Sequence, residues 1–390
     1  VADWDLWGPL APRYQRSGPR RLLALDGGGI RGLLTLGVLA SLERQLQERR
    51  GDPSYRLCQF FDAIAGTSTG AIIAAGLARG MSVARLLSFY KEFGVEAFTR
   101  RSIFERWKSL YENGALQKKL QAEFGANTTL EPEHLQCLLL VVTRNATTDS
   151  AWPIFSNPWS KYNQRDRKDC NLRIPLWQIV RASTAAPVYF PPETIAWDKD
   201  DASKQFVFVD GGTTAYNNPA FLLYRMVTEP AYKLEWPKGE RNLLIVSVGT
   251  GTAPVLGQSI ADPEQNLAAA AKQTLGALMN QAAFDQDLSC RTVGRCVAGP
   301  WLDNEVGDLV PRADGEPVPL SQDLGRAFLY ARYDATLTKK GLDAIDCADI
   351  NPDDVSLLDS VAHMAALERV GGGVAARQVD ISAFGPFLDA

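Results

Sequence analysis

Phe60-Phe61-Asp62-Ala63-Ile64-Ala65-Gly66-Thr67-Ser68-Thr69-Gly70-Ala71-Ile72-Ile73-Ala74-Ala75-Gly76-Leu77-Ala78 is the stretch that decides the fold. One apolar run leads into Gly66-Thr67-Ser68-Thr69-Gly70 and a second leads out. That order predicts strand, sharp turn, helix. A serine in G-x-S-x-G at such a corner reads as a nucleophile elbow. Gly66 and Gly70 suit the corner because a Cβ would clash where the backbone is strained and segments pack closely. The turn also sets Ser68 at the positive end of a helix, which favours developing negative charge. Three fixed positions recur by chance in roughly one chain in ten of this length. The surroundings of the pentapeptide therefore carry the argument.

Upstream, residues 22–25 form a short apolar run that ends at Asp26 and a glycine cluster, and residues 33–46 show helical spacing. Further strands are expected at 60–65, 135–142, 205–209 and 243–248, and helices at 69–78, 82–98, 174–185 and 218–228. Strands alternating with helices predict a mainly parallel sheet covered on both faces, an α/β fold of three layers, α/β/α. Residues 252–390 read as mostly helical, with helices at 266–280, 327–342 and 355–370. Gly371-Gly372-Gly373 reads as a turn or loose tail. The chain thus divides into an N-terminal extension (1–21), a catalytic region (22–230), and a remainder (231–390) that continues the sheet near 243–248 and then turns helical.

The 390 residues are 46% hydrophobic and 22% charged, an ordinary globular composition. Lys+Arg 41 against Asp+Glu 45 leaves a net charge of -4, which argues against nucleic acid as a partner. No window approaches the roughly 20 apolar residues of a membrane-spanning helix. Val1 to Arg21 lacks the apolar core of a signal peptide, although a chain starting at Val1 leaves a removed leader open. Cys58, Cys137, Cys170, Cys290, Cys296 and Cys347 are scattered without a C-x-x-C and read as free thiols in a reducing compartment. Only two histidines exist, neither beside a cysteine pair, so no metal site is expected.

The second site is Asp26-Gly27-Gly28-Gly29-Ile30-Arg31-Gly32. Successive glycines let several N–H groups point into one space, an anion cradle. A phosphate loop would need a following Gly-Lys-Ser/Thr, which is missing. Gly27, Gly29 and Gly32 match the letters of a dinucleotide loop, but the next strand ends in the serine elbow rather than in an acidic residue. An oxyanion hole serving Ser68 is the reading that fits best. A purely structural glycine turn stays open, and so does Arg31 as either a hole-shaping residue or a salt-bridge partner.

A serine hydroxyl needs a base within hydrogen-bond reach. His134 lies in a polar segment before a strand and His363 on a late helix, neither in a catalytic-looking setting. Asp210 ends a β-rich strand and precedes Gly211-Gly212, so its carboxylate should emerge at a strand's C-terminal edge, where sites in open α/β sheets collect. The alternative for Asp210 is an Asx turn.

Asp-Gly-Gly-Gly-Ile-Arg-Gly at 26–32, Gly-Thr-Ser-Thr-Gly at 66–70 and Asp-Gly-Gly at 210–212, in that order, resemble the patatin-like phospholipase family over roughly residues 22–230. Ile179-Val180-Arg181-Ala182-Ser183-Thr184-Ala185-Ala186-Pro187 resembles it too, and Asp210-Gly211-Gly212 stands where some members carry Asp-Gly-Ala. The resemblance implies a lipid acyl hydrolase with a Ser–Asp dyad and no cofactor. Ser68 would attack the ester, Asp210 would take its proton and later activate water, and Gly28, Gly29 and Arg31 would give backbone donors to the oxyanion. The scarcity of histidine agrees independently with a dyad. An acyltransferase using the same dyad is one alternative, and a nucleotide- or phosphate-binding regulatory module using the glycine loop is another.

The resemblance also implies lipid substrates, a peripheral membrane contact, and a cytoplasmic enzyme that meets membranes transiently. Residues 151–162, with Trp152, Trp159 and Tyr162, followed by Arg165, Arg167 and Lys168, mix aromatic and basic groups that suit an anionic surface. The competing reading is a strand edge and a solvated charged loop. Arg100, Arg101 and Trp107 form a second such candidate. The C-terminal third carries no readable motif and is open to capping the cleft, forming a homo-oligomer or binding a regulator. Some bacterial enzymes that it resembles are activated by cyclic nucleotides, which makes such an activator an expected partner.

Overall fold

A computed structural model describes residues 3–97, 113–198, 200–253, 267–302 and 309–389. The Arg100, Arg101 and Trp107 candidate lies outside them. The strands are β1 (Arg20–Leu25), β2 (Ala63–Thr67), β3 (Leu138–Asn145), β4 (Ser150–Phe155), β5 (Glu193–Ala196) and β6 (Gln205–Asp210). They continue as β7 (Leu243–Val248), β8 (Arg295–Ala298), β9 (Arg312–Ala313), β10 (Glu316–Pro317) and β11 (Leu329–Tyr333). Nine of them build one sheet in the order β5-β6-β3-β2-β1-β7-β11-β8, with β4 pairing β3, while β9 and β10 form a separate ribbon.

The central strands are parallel and buried on both faces. Leu22 and Ala24 of β1 face a core that includes Leu223 and Val227 of the Ala220–Thr228 helix. Leu23 and Leu25 face the opposite core, built with the Gly32–Arg50, Thr69–Ala78 and Met364–Gln378 helices. This is the expected three-layer α/β/α arrangement. Continuous apolar runs form these strands because neither side meets water.

β3 has two edges, and their use builds the site. β4 runs antiparallel along residues 140–145 of one edge. On the other edge β2 pairs with residues 138–142, and β6 then takes residues 143–145 antiparallel. Thr67 lies opposite Val142 and Asp210 opposite Thr143. The ends of β2 and β6 therefore meet head to head.

Four expectations are corrected. Phe60 closes a short Leu57–Phe60 helix, and the strand begins at Ala63. Residues 327–342 are not one helix but β11 followed by a short helix at Lys339–Asp343. Leu329, Ala331 and Arg332 are good helix formers, yet the slot beside β7 is buried on both faces and Tyr330 and Tyr333 fill it, so tertiary context overrides propensity. Gly371, Gly372 and Gly373 are neither turn nor tail but lie inside the Met364–Gln378 helix. That helix starts only at Met364, so the 355–370 helix holds for its second half alone. A Cβ on Gly371 would stand 2.6 Å from the Leu34 carbonyl, so the glycine lets this helix pack against the Gly32–Arg50 helix.

Candidate active site

Ser68 sits between the end of β2 and the Thr69–Ala78 helix, with φ 54 and ψ -121. A positive φ is strained for a non-glycine residue and marks a functional turn. The surroundings hold it there. A Cβ on Gly66 would stand 2.1 Å from the Gly70 carbonyl, and one on Gly70 would stand 2.2 Å from the Leu25 carbonyl. The Ser68 N–H donates to Ser183 Oγ at 2.9 Å, and Ser183 in turn donates to the Val142 carbonyl at 2.6 Å. Ser183 thereby ties the elbow to β3.

Ser68 Oγ donates to Asp210 Oδ2 at 2.5 Å. The other carboxylate oxygen accepts the Gly212 N–H at 2.7 Å. Gly211 lets the chain turn here, since a Cβ would stand 2.2 Å from the Val142 carbonyl. Burial pushes the Asp210 carboxyl up to about 6, against the hydrogen bonds from Ser68 and Gly212 and the charge of Arg181. His134 binds Thr129 and His363 pairs with Asp354, and neither lines the cleft.

The glycine loop lies beside the serine, for a Cβ on Gly27 would stand 3.2 Å from Ser68 Cβ. Its back is pinned. Thr250 Oγ1 donates to the Gly27 carbonyl at 2.9 Å, and the Gly27 N–H donates to the Asn217 carbonyl at 3.1 Å. Gly28 touches Thr250 and Gly32 touches Thr69, both too closely for a Cβ. Among the described residues the N–H groups of Gly28 and Gly29 have no protein acceptor. The Arg31 N–H, expected to face an oxyanion, instead closes a turn onto the Gly28 carbonyl at 3.2 Å, and its guanidinium reaches the Ser356 carbonyl at 3.3 Å. The Ile30 N–H donates to the Leu358 carbonyl at 2.9 Å.

Behind the loop lies a buried ionic network that sequence reading missed. Arg332 grips Asp26 with two bonds of 2.9 and 2.7 Å, Asp334 at 2.6 Å and Ser247 at 2.8 Å. Asp334 also accepts the Gly251 N–H at 2.8 Å. Arg332 was hidden in the misread 327–342 segment, where the aromatic, β-favouring Tyr330 and Tyr333 were the usable signal. Ser183 stands in the quoted 179–187 phrase without a visible role, and nothing in the sequence marks Leu358.

The cleft over Ser68 is lined by Ile72, Tyr90, Tyr189, Phe190, Met279 and Leu358 among others. Its free volume is about 50 Å³, room for a few waters only. The aromatic-basic segment packs its tryptophans inward and leaves Tyr162 exposed, with Lys161 and Arg167 over its ring. Trp152 packs against Trp197 and Phe206, and Trp159 against Trp4 and Trp7. Arg165 pairs with Glu131, Arg167 with Asp169 and Lys168 with Asp200. The solvated-loop reading is the one that fits.

A family model described as patatin-like phospholipase matches residues 23–224, just over half of the chain. A cGAMP-activated phospholipase of Vibrio cholerae is 33% identical over 257 residues, covering 62% of this chain and 67% of that protein. A second protein of that name, from Escherichia coli, is 32% identical over 235 residues, covering 59% and 62%. Patatin-15 of Solanum tuberosum is 31% identical over 246 residues, covering 59% and 60%. The chain thus spans about three fifths to two thirds of the length of these relatives. The three motifs, their meeting at one cleft and the family match agree: this chain belongs to the patatin-like phospholipase family.

Proposed function

We propose that the protein hydrolyses acyl esters of lipids through a Ser68–Asp210 dyad. The observation that carries this reading is the 2.5 Å hydrogen bond from a strained, helix-capping serine to a buried carboxylate. Ser68 Oγ adds to the ester carbonyl carbon while Asp210 Oδ2 takes its proton. The carbonyl oxygen becomes an oxyanion, held by the Gly28 and Gly29 N–H groups and by the positive end of the Thr69–Ala78 helix. Collapse breaks the ester bond and the alcohol leaves with the proton from Asp210. A water, deprotonated by Asp210, then attacks the acyl-serine and releases the fatty acid. A fluorophosphonate probe should label Ser68, and an unlabelled serine in folded protein would sink the reading. The alternative of a phosphate cradle in the glycine loop loses support, because the N–H groups of Gly27, Ile30 and Arg31 are already taken by carbonyls.

A base must be ionised to accept a proton, and Asp210 is pushed up to about 6. With a soluble short-chain ester, kcat/KM should rise about tenfold per pH unit below that value and level off above it. A profile flat down to pH of about 4 would exclude Asp210 as the base.

A long acyl chain does not fit about 50 Å³, so the cleft opens for turnover. The Leu358 carbonyl closes over the glycine loop at the Ile30 N–H, and its displacement is the opening step we assign. Two relatives are named as cGAMP-activated, and a closed cleft suits an enzyme that waits for such an activator. The membrane contact belongs at the rim of the cleft. Leu278 (59% exposed) and Leu357 (58%) neighbour the cleft residues Met279 and Leu358. Placing aspartate at both should lower turnover on phospholipid vesicles by about tenfold or more, since each leucine loses the benefit of burial in lipid. Turnover of a soluble ester should stay at the wild-type level. An equal loss on both substrates would count against a docking role.

A further inference from the structure

Parallel pairing puts the starts of β1 and β2 on one edge of the sheet, with the glycine loop and Ser68 at the other. One strand length, about 20 Å, separates the two ends. At the start of these strands lies a cavity of about 570 Å³, within the range of small-molecule sites. Its lining is strongly cationic. Arg13, Arg20 and Arg21 converge on the buried carboxylate of Asp62, at 3.3, 3.7 and 3.8 Å. Arg13 and Arg20 spend further N–H groups on main-chain carbonyls, among them those of Phe61 and Tyr14, so the wall is rigid. Arg16 and Arg50 add two exposed guanidinium groups to the lining. The Arg16 side chain makes no hydrogen bond or ion pair with a described residue, while Arg50 donates one N–H to the Leu388 carbonyl at 3.1 Å and lies 5.8 Å over the Tyr55 ring.

Five cations therefore line a cavity that holds one carboxylate. Elsewhere on the surface Arg44 pairs with Glu48 and Arg85 with Glu123, one cation to one acid. Gathered like charges repel, and more strongly where water is excluded. Burial lowers the Arg21 pKa; Asp62 and Tyr55 oppose it, and Arg13 and Arg50 add to it. An anion in the cavity would relieve that repulsion.

We propose that this cavity binds a small phosphate-bearing ligand, with Arg16 and Arg50 as phosphate forks at its mouth. Guanidinium matches phosphate oxygens with paired, charge-assisted hydrogen bonds. The choice of a nucleotide as the phosphate source rests on the activation reading above. A lipid headgroup is the other source, and it fits less well. The cavity and the apolar rim of the cleft lie at opposite ends of the sheet, so one membrane would not meet both.

Calorimetry on the full chain tests this with three probes: cGAMP, inorganic pyrophosphate, and vesicles of phosphatidylglycerol. Saturable binding of cGAMP is expected, weakened about tenfold or more in the Arg16→Ala/Arg50→Ala double variant. Arg44→Ala, on the helix that carries Arg50 but outside the cavity, should bind as wild type does. Both mutated side chains are exposed and only Arg50 holds another segment, through the Leu388 carbonyl, so the unliganded melting temperature of the double variant should stay close to that of wild type. Should it fall, the salt dependence of wild-type binding serves instead, because arginine–phosphate contacts weaken as salt rises. Pyrophosphate binding with the same arginine dependence and no cGAMP binding would keep the phosphate site and remove the nucleotide as its source. Arginine-dependent binding of vesicles alone, arginine-independent binding, or no binding of any probe would overturn the proposal. The readout is binding, so failure here leaves fluorophosphonate labelling of Ser68 intact, and failure of that labelling leaves this site standing.

Discussion

Asp210→Asn is expected to cut ester turnover by about four orders of magnitude or more, and Ser68→Ala by at least as much, the scale seen when members of a serine catalytic unit are removed. The asparagine change is the more instructive. It keeps the shape of the side chain. The amide oxygen still accepts the Gly212 N–H, and the amide nitrogen can donate to Ser68 Oγ, whose own O–H then turns into the cleft that Ser68 lines. Only the ability to take a proton is lost. The two variants combined should be no worse than either alone, because the residues act on one proton. Activity of Asp210→Asn within tenfold of wild type would refute the dyad.

The same substitution has an opposite effect on stability. Asp210 has an ordinary value of 3.8 when the chain is unfolded and about 6 when it is folded. Between those values the folded state holds the proton more tightly. Its contribution is complete below pH 3.8 and is lost as pH rises through about 6. At pH 8 the buried carboxylate therefore costs on the order of 3 kcal/mol, which asparagine avoids. Denaturant unfolding should find Asp210→Asn more stable than wild type at pH 8, with the gap closing towards pH 4. A variant less stable than wild type at pH 8 would mean that the carboxylate is not strained by burial.

The largest loss of stability should follow Arg332→Met. Methionine fills a similar volume but leaves Asp26 and Asp334, both buried, without their shared cation. Breaking a buried ion pair from one side costs about 3–5 kcal/mol, because an uncompensated charge stays behind. The damage should also reach catalysis. Asp26 begins the glycine loop, and Asp334 holds Gly251 next to Thr250, which pins Gly27. Turnover per folded molecule should therefore fall as well as the denaturation midpoint. A triple variant with Asp26→Asn and Asp334→Asn should regain part of the stability, since no charge remains to be matched. An Arg332→Met protein as stable as wild type would show that the network is solvated rather than buried.

Much of this molecule was legible before its structure. Apolar runs without alternation announced strands buried on both faces, and β1, β2, β3 and β7 are such strands. Glycines at 27, 28, 29, 66, 70 and 211 announced close backbone approaches, and each is too crowded for a Cβ. Local crowding leaves a local mark, because only glycine fits. The errors came where packing overrode local preference. Leu329 to Tyr333 became a strand because it fills the buried slot between β7 and β8, and Gly371 to Gly373 became helix where Gly371 packs against the Gly32–Arg50 helix and Gly373 against the Ile345 carbonyl. The aromatic-basic run was legible only in part for a related reason: composition says which groups are present, not whether acids such as Glu131 and Asp169 stand opposite them.

The sequence by itself singled out Ser68 and Asp210 as candidates, since a serine on a glycine-flanked corner and an aspartate at a strand end are written in contiguous residues. Its two histidines also lay in settings that argued against either as the partner. Only the tertiary structure decided that the two meet. They lie 142 positions apart, and their contact depends on β2 and β6 sharing one edge of β3. The same holds for Arg332 beneath the glycine loop, for the Leu358 carbonyl above it, and for the arginines around Asp62. Each joins segments far apart in the chain through burial and charge, and such contacts leave no periodic or local signal for a sequence to display.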